Sequence, residues 1–157
     1  MNIKKILVSI AFCGFSVSLS SAPVPHIPIH KSKPHLVGLP EYVQKAAQVS
    51  GLPPRLIAAV IHVESRGKEN VVSSAGAVGL MQLTKNTAKM LHVNPWNPKQ
   101  NIVGGALYLA KLIRQFSSIE KALIAYNEGP TALAQGRVYT QSFTYAKNVI
   151  RYESTES

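Results

Sequence analysis

From residue 40 onward, proline and glycine cut the chain into stretches of helical length, and this punctuation constrains the fold more than any single motif. Pro40-Glu41 opens a run to about Ser50, closed by Gly51. Pro53-Pro54 opens the next, and Gly67 marks its end. Proline suits the first turn of a helix, where its missing N–H has no intrahelical partner to lose, and glycine readily takes the left-handed conformation that ends one. Thr84 to Leu91 predicts a short helix. Asn97-Pro98 supplies an N-cap and a first-turn proline for a longer one through about Phe116. Ser117-Ser118-Ile119-Glu120 has capping-box spacing, which makes Glu120 the cap of a helix reaching Tyr126, and Gly129-Pro130 stops it. A last helix is expected from about Ser142 to Tyr152. No alternating pattern of useful length occurs, so the chain reads as mainly α, a single helical domain with at most a small β-hairpin near Val71 to Val78.

The residues before this domain have a different character. Met1-Asn2-Ile3-Lys4-Lys5 is a basic start, Ile6 to Leu19 carries no charge, and Ser18, Ser20, Ser21 and Ala22 are small. Residues 1–22 therefore read as a secretory signal peptide, because the apolar core falls short of the about 20 residues that a bilayer span needs. Cys13, the only cysteine, lies inside it, with bulky Phe12 where lipid attachment needs a small residue. Stabilisation by disulfides is therefore not expected after cleavage. Residues 23–38 read as an extended spacer, with Pro23, Pro25, Pro28 and Pro34 interleaved with His26, His30 and His35 at a spacing that fits no metal site. The helical domain is expected over 39–153.

The chain has 17 basic and 7 acidic side chains, a formal charge of +10, and losing Lys4 and Lys5 leaves +8. Such a balance favours an anionic partner. There is no dense Lys/Arg block and no basic stripe with interleaved aromatics, so nucleic acid is not the expected one.

All seven acidic side chains are glutamates; aspartate is absent. Glu64 ends the apolar run Leu56 to Val63 and shares a helix face with Ile57 and Ile61. A carboxyl continuing an apolar stripe is disfavoured in its charged form, which gives it the profile of a general acid. Glycosidases that work with two carboxylates need a partner about 5 Å away if retaining and further if inverting. No acidic residue occurs between Glu69 and Glu120, and Glu120 is accounted for as a cap. Attack by a hydroxyl of the substrate itself needs only one carboxyl.

Four blocks in order carry a family resemblance: Glu64-Ser65; Ser73 with Gly76-Ala77, Gly79-Leu80-Met81-Gln82; Asn101-Ile102 with Gly105, Tyr108-Leu109; and Ala125-Tyr126-Asn127 with Gly129. A weaker fifth is Tyr145 with Val149. Together they resemble the lysozyme-like lytic transglycosylases over about residues 39 to 152, nearly all of the mature chain. The resemblance implies an α+β lysozyme-like domain with a central cleft, needing no metal or cofactor and acting as a monomer on peptidoglycan glycan strands in the bacterial periplasm or cell wall. It implies that Glu64 is the catalytic acid at the MurNAc–GlcNAc bond and then the base toward the C6 hydroxyl, giving 1,6-anhydro ends. It implies substrate-binding roles for Ser73, Met81, Gln82, Tyr126, Asn127 and Tyr145, with Tyr126 facing the catalytic carboxyl. Stand-alone enzymes of this kind often open the wall for a secretion, conjugation or pilus assembly. A lysozyme-type muramidase on the same fold and a non-catalytic wall-binding module remain alternatives.

Bland readings stand beside these. Leu80 reads as core, and Met81 fits core or cleft equally. Gly104 and Gly105 inside a helix signal close packing. Tyr126 shares a face with Ile119 and Leu123, and its hydroxyl needs a partner, for which Glu64 is a candidate. Tyr108 reads as structural, His62 receives no role, and Trp96 is either a sugar platform or a core anchor. The chain departs from the family pattern at Ser74, Lys85, Glu128 and Gln141-Ser142. Glu128, where a small residue is usual, is the departure able to add a second carboxylate to the cleft.

Overall fold

A computed structural model describes residues 41–155; the expected signal peptide (1–22) and spacer (23–38) lie outside them. Seven helices follow one another: α1 (Glu41–Ser50), α2 (Pro54–Ser65), α3 (Lys85–Met90), α4 (Pro98–Phe116), α5 (Ile119–Glu128), α6 (Pro130–Ala134) and α7 (Thr140–Thr155). Isolated antiparallel bridges join Val72 to Val78 and Val78 to Leu83, where a small hairpin was expected.

The punctuation works as its chemistry requires, with three differences. Asn97 caps α4 by accepting the Gln100 N–H at 3.0 Å, and Pro98 occupies the first turn. Arg66 ends α2 in the left-handed conformation (φ 55°), its N–H returning to the His62 carbonyl. The first difference is the α4–α5 joint. Ser117 is spent closing α4 at φ 50°, so Ser118 becomes the cap, accepting the Lys121 N–H at 3.3 Å. Glu120 is left in the first turn without closing a capping box. Secondly, Gly129-Pro130 stops α5 and also starts α6, because a proline that cannot continue one helix is suited to begin another. Finally, α7 begins two residues before Ser142 and runs past Tyr152.

Helix α4 packs against α1 and α5, while α7 packs against α5 and α2. The shared core contains Leu56, Ile57 and Val60 of α2, Ile102, Leu109 and Ile113 of α4, Leu123 of α5 and Val149 of α7, all at most 1% exposed. Burying each such side chain contributes about 2 kcal/mol, so apolar packing holds the described domain together. Gly104 and Gly105 let neighbours approach α4 closely. A Cβ on Gly105 would lie 2.6 Å from Met81 Sδ and 3.0 Å from Tyr126 Oη. Two further contacts tie α2 to α7: Arg55 Nε reaches Glu153 Oε1 at 3.1 Å, and the rings of His62 and Tyr152 stack with centroids 3.9 Å apart. No helix among the described residues is long and apolar enough to cross a membrane.

Candidate active site

Glu64 occupies the last turn of α2, where the unpaired carbonyls of a helix end give a carboxylate no electrostatic relief. Ser65 behind it is buried and turns its hydroxyl back to the Ile61 carbonyl at 3.0 Å. Burial lifts the Glu64 carboxyl from 4.5 to about 7, against a hydrogen bond from Tyr145 that lowers it. That bond runs from Tyr145 Oη on α7 to Glu64 Oε1 at 2.7 Å. Burial, then Glu64, then Tyr126 and the hydrogen bond itself, hold the Tyr145 phenol well above its usual range. Tyr145 therefore remains a donor across the range in which Glu64 gains and loses its proton.

Tyr126, on α5, is placed differently from expectation. Its hydroxyl donates to the Met81 carbonyl at 2.9 Å, so the hydrogen-bond partner of Glu64 is Tyr145 and not Tyr126. Tyr126 still feels the acid: burial first, then Glu64, then Tyr108 push its phenol well above the usual range. Tyr108 lies against it, ring centroids 5.6 Å apart. Burial raises the Tyr108 phenol too.

Facing these helices is the loop between α2 and α3. Ser73 is half-buried, and its Oγ accepts the N–H groups of Ala75 and Ala77 at 3.2 and 3.1 Å. Gln82 stands at φ 48°, its side-chain amide donating to Gly79 O at 2.8 Å and Val71 O at 3.1 Å, so this end of the side chain builds the loop. Met81, which the resemblance set among the cleft-lining residues, is 0% exposed. It lies beneath the site because its sulfur fills the space over Gly105, so the core reading of Met81 holds. Asn127 is exposed, with Oδ1 turned to Ser142 Oγ at 2.9 Å. Trp96, at 56% exposure, is no core anchor.

Asn101 is the residue whose importance sequence reasoning missed. It is wholly buried; its Oδ1 accepts the Met81 N–H at 2.8 Å, and its Nδ2 donates to Val78 O at 2.8 Å and Pro95 O at 2.9 Å. One side chain thus pins the 78–81 segment to α4. Gly79 makes this approach possible: at φ 81°, a Cβ there would lie 2.5 Å from Asn101 Nδ2. The available signal was a polar residue on the same face of α4 as Gly105 and Leu109. Glu128 also has a defined place, its Oε2 lying 2.6 Å from Ser142 Oγ. No three His, Cys or Glu side chains cluster as metal ligands among the described residues. Two cavities of about 280 and 360 Å³ share His62, Arg66 and Tyr152 along α2 and α7, and Glu64 lines neither.

A half-buried carboxyl that titrates near neutrality, bonded to a phenol that does not, is the arrangement that general acid–base chemistry asks for. The chain belongs to the family described as the transglycosylase SLT domain, whose pattern matches residues 41–149. A transglycosylase of Enterobacteria phage PRD1 is 42% identical over 90 residues, covering 57% of this chain and 34% of that protein. Membrane-bound lytic murein transglycosylase F of Haemophilus influenzae (strain PittEE) is 41% identical over 113 residues, covering 66% of this chain and 23% of that protein. The chain thus spans about a quarter to a third of the length of these relatives. Among solved structures, the 70 kDa soluble lytic transglycosylase of Escherichia coli superposes with a TM-score of 0.65 at 25% identity, covering 73% of this chain and 23% of that one. An inactive mutant of the lytic transglycosylase Slt from Pseudomonas aeruginosa gives 0.64 at 26% identity, with the same coverage. The fold is the lysozyme-like fold of these enzymes.

Proposed function

We propose that this domain cleaves peptidoglycan glycan strands without water, as a lytic transglycosylase with one working carboxyl. The observation that carries the reading is Glu64, lifted to about 7 by burial and held by Tyr145. Near neutral pH such a group is available in both forms, which a residue that first gives and then takes a proton requires. Protonated Glu64 donates to the bridging oxygen between MurNAc and GlcNAc as the C1–O bond breaks. The resulting carboxylate takes the proton of the same MurNAc C6 hydroxyl while its oxygen bonds to C1. The product carries a 1,6-anhydro end, and Glu64 is protonated again.

The positions of the other carboxylates support a single acid. Among the described residues, Glu128 is engaged by Ser142 and Glu153 by Arg55, Glu69 is exposed in the turn after α2, and Glu41 and Glu120 lie in the first turns of their helices. Ser73, Gln82, Tyr126, Asn127 and Tyr145 form the surrounding binding and shaping groups in this reading, with Met81 supporting them from below. Export through residues 1–22 would bring the domain to the wall, where its basic balance suits an anionic polymer. Service to a secretion, conjugation or pilus assembly belongs to the same proposal.

The test is digestion of purified sacculi with mass spectrometry of the released fragments. Anhydro-muramic ends, lost in Glu64→Gln, are expected. Reducing muramic acid would replace this reading with a muramidase, and binding without release would replace it with a wall-binding module.

A further inference from the structure

One helical turn before Tyr145, a second polar contact fastens α7. Ser142 is 0% exposed, with Oγ 2.6 Å from Glu128 Oε2 and 2.9 Å from Asn127 Oδ1. A serine hydroxyl has one proton and both facing atoms accept, so the proton goes to the carboxylate at a distance typical of a charge-assisted bond. Asn127 is then the second acceptor within reach. Glu128 is the last residue of α5, and Ser142 lies in the first turn of α7. The contact therefore joins two helices that pack along their length. Ser142 and Tyr145 are three residues apart and project from neighbouring positions on one face. The Tyr145 hydroxyl sits at the far tip of its side chain, so a small turn of α7 moves it well beyond hydrogen-bond range of Glu64.

We propose that Glu128 and Ser142 form a latch, clamping the start of α7 to the end of α5 at the register that carries the Tyr145 hydroxyl onto Glu64. They are positioning residues and need not touch substrate. The inference rests on the reading of Glu64 as the acid and base, and it gives Glu128 a task other than that of a second catalytic carboxylate. The groups facing Glu64 are Tyr145 from α7 and Tyr126 from α5, with Tyr108 behind Tyr126. Of these, the Tyr145 hydroxyl is the one whose hydrogen bond lowers the titration of Glu64. Slackening the latch leaves burial unopposed.

The experiment is a carbon-13 NMR titration of the glutamate carboxyls in the folded protein, with Glu64 assigned by its disappearance in Glu64→Gln. Ser142→Ala is expected to raise the Glu64 midpoint above about 7, and Ser142→Thr to restore it. Glu128→Ala, which leaves Ser142 only Asn127 as acceptor, moves the midpoint the same way by less. The double variant matches Ser142→Ala alone, since both changes break one contact. An unchanged or lowered midpoint in folded Ser142→Ala, or a double variant that moves by the sum, overturns the latch. Should Ser142→Ala not fold, Glu128→Ala decides, and an unmoved midpoint there overturns it. The titration is read without substrate, so its failure is separate from any failure of the wild type to release anhydro products.

Discussion

Replacing Glu64 by glutamine is expected to stop turnover and, above neutral pH, to make the domain more stable. The carboxyl titrates at 4.5 ordinarily and at about 7 in the folded protein. Over that interval the folded state keeps a proton that the unfolded chain has released. Stability is therefore lost as pH climbs from about 4.5 to about 7, and the loss is complete above. At about 1.4 kcal/mol per pH unit, the rise imposed by burial on this one group corresponds to roughly 3 kcal/mol at pH 8. Glutamine has no such charge, and its Oε1 still accepts from Tyr145. Its amide hydrogens cost about 1 kcal/mol where they find no partner, leaving a net gain of about 2 kcal/mol at pH 8. The assay is urea unfolding followed by circular dichroism at several pH values between 4 and 9, for both proteins. Every other titrating group is common to the two, so the difference between their stabilities isolates Glu64. It should be close to zero or slightly against glutamine at pH 4, and should open in glutamine's favour between pH 4.5 and 7. Parallel curves across that window would refute the argument that burial keeps this carboxyl protonated.

Tyr145→Phe removes the hydrogen bond that lowers the Glu64 carboxyl, so the alkaline limb of the pH–rate profile should move above about 7; a limb that stays in place would separate Tyr145 from Glu64. Asn101→Ala leaves the Met81 N–H and the Pro95 carbonyl without their partner and takes one of two donors from the Val78 carbonyl, which keeps the Leu83 N–H, and should lower stability by roughly 2 kcal/mol or more in denaturant titration. Met81→Leu nearly conserves volume at a wholly buried position, so it should cost less than about 1.5 kcal/mol and leave KM unchanged. A raised KM would return Met81 to the wall of the cleft.

Local chemistry was the legible part of this fold. Asn97-Pro98 announced α4 because cap and first-turn preferences are settled within a few residues. The same logic failed at Ser117-Ser118, where two helices compete for one serine pair and α4 took the first to close itself. It failed again at Gly129-Pro130, since a residue pair that ends a helix is also able to begin one. In the site, Glu64 was visible because it continues the apolar face of its own helix. Its partner was not. Tyr126 and Tyr145 are both tyrosines on later helices, and which of them reaches Glu64 depends on how α5 and α7 cross α2. Asn101 and the Glu128–Ser142 contact were hidden for the same reason, as their meaning lies in partners 14 to 23 residues away.

Gly105 has an evolutionary consequence. The space its missing side chain leaves is already taken: Met81 Sδ and Cβ and Tyr126 Oη would stand 2.6, 2.9 and 3.0 Å from any Cβ placed there. Enlarging position 105 therefore requires Met81 to move and Tyr126 to give slightly, and Tyr126 is also the donor that fixes the Met81 carbonyl. Growth at 105 therefore has to follow a change at a neighbouring position, whereas 81 can vary by itself if its volume is kept. In a library randomised at 81, 105 and 126, a side chain at 105 should be accepted only beside a shorter one at 81. The surroundings of Glu64 are guarded by a glycine on another helix, acting through Met81 and Tyr126.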